Sequence, residues 1–88
     1  MTINIKDLKN KIIYRANYRG TKEMDKLLGS FTKKYIDQFN EQELTLLCDL
    51  LDLDDENLYK FNQGQNPTIQ IELNKVSEMF KNYNYANE

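Results

Sequence analysis

Tyr18-Arg19-Gly20-Thr21-Lys22-Glu23-Met24-Asp25-Lys26-Leu27-Leu28 is the stretch that decides the fold. Before it, Ile5, Leu8, Ile12 and Ala16 recur at three- and four-residue steps. That is the period of a helix with one apolar face, and it predicts a helix from about Ile5 to Tyr18. Gly20 stands where the pattern stops, and glycine most readily takes the left-handed conformation that ends a helix. Thr21 then caps a second helix, placing Glu23 and Asp25 in its first turn, against the positive end of the backbone dipole.

Working outward, Met24, Leu27, Leu28, Phe31 and Tyr35 share one face of that second helix. They mark it as the central core element, with Phe31 and Tyr35 as core filler. Asn40 and Glu43 have capping-box spacing, and Phe39 and Leu44 have hydrophobic-staple spacing, so a third helix begins there. Leu44, Leu47, Cys48 and Leu51 follow on one face, which makes Cys48 a small buried apolar residue. A fourth, short helix starts at Asp54, stapled by Leu53 and Leu58, and Gly64 closes it. The carboxylates of Asp52, Asp54, Asp55 and Glu56 lack the spacing of a calcium loop and read as capping groups. After a loop from Gln63 to Pro67, the steps of Ile69, Leu73, Val76, Phe80 and Tyr83 predict a final helix. Ile69 and Ile71 also alternate with polar residues, but no second strand-like run exists to pair with them. Asn82 to Glu88 reads as a polar, fraying tail in which Tyr83 and Tyr85 fold back or meet a partner. The expectation is an all-α fold: a small single-domain five-helix bundle over residues 1–88.

Composition narrows the chemistry. Apolar residues make up 40% of 88 residues, enough for one small core. With no histidine and only Cys48, nitrogen and sulfur ligands for zinc are missing, and a Ser-His or Cys-His nucleophilic pair cannot be assembled. No apolar run is long enough to span a bilayer, so membrane insertion is not expected. Met1 to Lys11 has no signal-peptide core, contains Asp7 and lacks arginine, which points away from secretion and mitochondrial import and toward a bacterial cytoplasm.

The net charge of −2 conceals a split. Residues 1–35 hold nine basic and three acidic side chains, whereas residues 36–63 hold one basic and eight acidic. If these thirds stay apart in space, the molecule has a positive and a negative side suited to oriented docking; the alternative is mutual neutralisation between neighbouring helices. Lys6, Lys9, Lys11 and Arg15 on the first helix also permit an alternative, a small nucleic-acid-binding or antitoxin-like helical module. An enzyme reading rests on Glu23 and Asp25, which lie two residues apart on a helix and do not face each other.

Arg19-Gly20-Thr21-Lys22-Glu23 matches the R-G-x-x-E signature of the small succinate dehydrogenase assembly factors, also called FAD assembly factors, and the chain resembles that family over about two thirds of its length. Met24-Asp25 stands where the family commonly has Leu-Asp. Asp37 to Glu43 resembles the opening of its third helix, and Leu50 to Phe61 its Leu-Leu-x-x-x-Asp-x-x-Leu-aromatic-x-aromatic stretch. Tyr18 replaces a frequent basic residue, Thr21 a usual apolar one and Phe61 a common tryptophan. The resemblance implies a helical, non-enzymatic, chaperone-like factor, monomeric when free. It implies binding to the flavoprotein subunit of succinate dehydrogenase, and in some bacteria that of fumarate reductase, and promotion of covalent FAD attachment to the partner's own histidine. The factor itself is expected to hold no cofactor stably. Arg19, Gly20 and Glu23 are the expected partner-binding residues, flanked by Tyr18, Asp25 and Arg15, with Arg19 and Glu23 giving charge-assisted hydrogen bonds and Gly20 allowing close approach.

Overall fold

The computed structural model describes residues 4–84. Asn4 accepts the Asp7 N–H at 3.2 Å and opens α1 (Ile5–Asn17), which stops at Tyr18. Gly20 takes φ +107°, and the Thr21 hydroxyl accepts the Met24 N–H at 3.2 Å to start α2 (Lys22–Tyr35). A 3-10 turn over Ile36–Gln38 leads to α3 (Glu41–Leu51), whose capping box is complete. The Glu43 N–H donates to Asn40 Oδ1 at 2.8 Å and the Asn40 N–H to Glu43 Oε1 at 2.9 Å. α4 (Asp55–Asn62) ends at Gly64, with φ +76°, as the Gln65 N–H reaches back to the Lys60 carbonyl at 2.8 Å. α5 (Lys75–Lys81) is the last of five α-helices among the described residues.

α1 packs on α2 and α3, and α5 packs on α3 and α4, so a single core cluster draws on every helix. Ile12, Leu28, Phe31, Leu44, Leu47, Leu58, Val76 and Phe80 have no exposed surface. Phe31 sits at the centre of an aromatic group, its ring centroid 5.2 Å from Tyr35, 5.4 Å from Phe80 and 5.3 Å from Tyr83. It is core filler, as its place in the apolar stripe predicts, and burying such a side chain contributes about 1.5–3 kcal/mol. At Gly29 the Asn17 side chain of α1 lies against α2, and a Cβ there would stand 2.5 Å from Asn17 Oδ1.

Three expectations are corrected. The last helix begins at Lys75, not near Ile69, because Asn74 and Ser77 form a capping box of their own at 2.8 and 2.9 Å. Upstream of it, buried Asn57 accepts the Thr68 N–H at 2.7 Å and pins a non-helical segment on α4, leaving Ile69 and Leu73 exposed. Asp54 occupies the α4 cap position, but its carboxylate accepts from Asn57 Nδ2 at 2.6 Å and caps no helix N–H. Cys48 is only half-buried. Tyr83 folds back, as the sequence allows: it is buried, its hydroxyl donates to Ser30 Oγ at 2.9 Å and its carbonyl accepts from Asn62 Nδ2 at 2.9 Å. Tyr85 and the residues after it lie outside the described residues.

The basic and acidic thirds do not stay apart. Because α1 lies against α3, the basic and acidic thirds meet in the pairs Lys9–Asp37 at 3.2 Å, Arg15–Asp52, and Arg19–Asp55 at 2.8 Å. Among the described residues no helix is long and apolar enough to cross a membrane, and no group of three or more acidic or cysteine side chains could hold a metal ion.

Candidate functional site

The corner between α1 and α2 has an inner and an outer half. Inside, the Arg19 backbone N–H donates to the Asp25 carboxylate at 2.5 Å, which folds the corner back on the first turn of α2. The Arg19 side chain, only 11% exposed, crosses to the turn between α3 and α4. There Nη1 donates to the Leu51 carbonyl and Nη2 to the Leu53 carbonyl, both at 2.7 Å, while Nε faces the Asp55 carboxylate at 2.8 Å. Leu51 ends α3 and Asp55 begins α4, so one guanidinium serves the negative end of one helix dipole and the first turn of the next. Arg15, one turn earlier, bonds the Asp52 carboxylate, with Cys48 Sγ at 3.8 Å. That hydrogen bond to Asp52 holds the Arg15 guanidinium above its ordinary range.

The outer half is open. Gly20 is exposed, and nothing lies within 4 Å of the point its Cβ would occupy. Glu23 is exposed and makes no ion pair or side-chain hydrogen bond among the described residues. Tyr18 is 71% exposed and packs its ring against that of Tyr14, itself 65% exposed, at a centroid distance of 4.7 Å. The six expected site residues therefore divide: Gly20, Glu23 and Tyr18 face outward, whereas Arg19, Asp25 and Arg15 hold the corner in place. Tyr14 joins the outer face unforeseen, although its four-residue spacing from Tyr18 on one helix is a readable sign. Asp55, the anchor of Arg19, carries no such sign, because its partner lies 36 residues away.

The outer half thus presents an open backbone, a carboxylate without a partner among the described residues, and two exposed phenol rings side by side. The basic first helix offers no comparable stripe. Lys9 and Arg15 are tied to carboxylates, and helical geometry sets Lys6 and Lys9 on one flank of the buried face and Lys11 and Arg15 on the other.

A family model described as flavinator of succinate dehydrogenase matches residues 10–84. The chain belongs to this family. Among similar proteins, the FAD assembly factor SdhE of Acetobacter pasteurianus is 33% identical over 64 residues, which is 73% of this chain and 59% of that protein. The mitochondrial succinate dehydrogenase assembly factor 2 of Drosophila grimshawi is 29% identical over 77 residues, 85% of this chain and 52% of the relative. Its namesake in Scheffersomyces stipitis is 43% identical over 49 residues, 56% of this chain and 33% of the relative. The chain thus spans between a third and three fifths of the length of these curated relatives. No solved structure matches it at a comparable level of similarity. The part matched by the flavinator family contains both turns that Arg19 joins.

Proposed function

We propose that this chain is an assembly factor that binds the flavoprotein subunit of succinate dehydrogenase and promotes its covalent attachment of FAD, without supplying a catalytic group. The observation that carries this reading is the outward face of Gly20 and Glu23 on a corner fixed from behind by Arg19, in a chain of the flavinator family. The factor works by positioning. Docked on the partner, it raises the population of the geometry in which the partner's histidine lies against the flavin methyl carbon, a proximity effect that needs no nucleophile of its own. A chain with no histidine suits that role. Glu23 gives the partner a charged acceptor and Gly20 an unobstructed backbone, while Arg19 acts as a positioning residue. The reading extends to the fumarate reductase flavoprotein as a second client, to a monomer when free, to no stably held FAD, and to work in a bacterial cytoplasm.

The test is co-expression of the flavoprotein subunit with and without this chain, followed by in-gel flavin fluorescence of the denatured subunit. More covalent flavin in the presence of the chain is expected. Equal fluorescence at equal subunit abundance overturns the reading.

A further inference from the structure

Beyond the corner, a groove runs between α1 and α2. Two clefts of about 490 and 300 Å³ share Asn17, Gly29 and Lys33 and meet at Gly29, whose missing side chain leaves room for the Asn17 amide. The larger cleft starts at Asp25, the residue that accepts the Arg19 N–H, so the groove is continuous with the corner. The smaller one is also lined by Thr32, whose hydroxyl is buried and has no hydrogen-bond partner among the described residues.

Basic side chains outnumber acidic ones along the groove, Lys9, Lys26 and Lys33 against Asp25 and Asp37. Of the cations in the first third of the chain, Lys9, Arg15 and Arg19 are neutralised by Asp37, Asp52 and Asp55. Lys6, Lys11, Lys22, Lys26 and Lys33 have no carboxylate partner among the described residues, and of these Lys26 and Lys33 line the groove. These two are seven residues apart and share one face of α2 with Gly29 between them. The groove's own carboxylates are engaged, Asp25 by the Arg19 N–H and Asp37 by Lys9.

We infer that this groove seats an acidic segment of the flavoprotein partner, with Lys26 and Lys33 drawing its carboxylates across Gly29 as the partner docks on the corner. The inference rests on the proposed function and extends its contact surface along α2. Two unpaired cations beside a concave surface accelerate encounter with an anionic partner more than they add to final affinity, and salt suppresses the effect.

The experiment measures association of the purified flavoprotein subunit with the full chain by stopped flow or surface plasmon resonance, at low and high salt. The K26E/K33E double variant is expected to associate at least about tenfold more slowly at low salt, with the difference shrinking at high salt. K6E/K11E, which changes net charge equally but lies outside the groove, is expected to stay near the wild-type rate. Equal slowing by both variants, or no slowing by the first, overturns the groove and leaves the function reading standing. Failure of the unaltered chain to bind overturns both. Binding of a nucleic-acid oligomer with the same dependence on Lys26 and Lys33 assigns the groove to that ligand and overturns the inference.

Discussion

Arg19 and Asp55 stand 36 residues apart in sequence and 2.8 Å apart in space, and their ion pair fastens the α1–α2 corner to the start of α4. With two carbonyls on the same guanidinium, the removal of Arg19 strands three acceptors at a largely covered site. Arg19→Ala is expected to cost roughly 2–4 kcal/mol in urea unfolding. A double-mutant cycle with Asp55→Ala should return a coupling of about 1 kcal/mol or more. Unchanged stability with lost partner binding would instead make Arg19 a contact residue.

Glu23 behaves in the opposite way. Exposed and unpaired among the described residues, it contributes to folding only through the α2 dipole, so Glu23→Ala should shift stability by no more than about 1 kcal/mol. Covalent flavin on the partner should fall much further, which gel fluorescence at matched protein levels can read.

Gly20 separates backbone strain from bulk. At φ +107° any side chain is strained, yet open space surrounds the missing Cβ. Gly20→Ala and Gly20→Arg should therefore destabilise alike, by about 1–2 kcal/mol. Only the arginine should block close approach, so a calorimetric Kd for the flavoprotein subunit should separate the two variants while their Tm values agree.

Glu43 links α3 to α5 and carries a pH signature. Lys75 Nζ at 2.7 Å, together with the Asn40 N–H, holds its carboxyl below the usual 4.5. A carboxyl depressed in the folded state stabilises fully above its unfolded value and loses that contribution as pH falls through the folded one. Glu43→Gln should therefore unfold at lower urea than wild type at neutral pH, with the gap closing as pH drops below 4.5.

Local chemistry was legible in the sequence and distant pairing was not. Thr21, Asn40 with Glu43, and Gly64 each act within a few residues, so type and spacing suffice to read them. Asn74 and Ser77 form an equally local device, yet the four- and three-residue steps through Ile69 and Leu73 point to a longer helix. Asn57, eleven residues from Thr68, decides against it. At the corner, residue types mark Arg19, Gly20 and Glu23, but which of them faces inward depends on α3 and α4 arriving behind Arg19. The charge split stays undecided in the sequence for the same reason, since only packing brings Lys9, Arg15 and Arg19 onto Asp37, Asp52 and Asp55.

The most direct test of the account is the rate at which purified flavoprotein subunit acquires covalent flavin from added FAD, with no factor, with this chain, and with its Glu23→Ala variant at equal folded concentration. The account predicts a clear acceleration by the chain that the variant largely loses while retaining its melting temperature. Acceleration that is identical for both proteins, or absent for both, would contradict it.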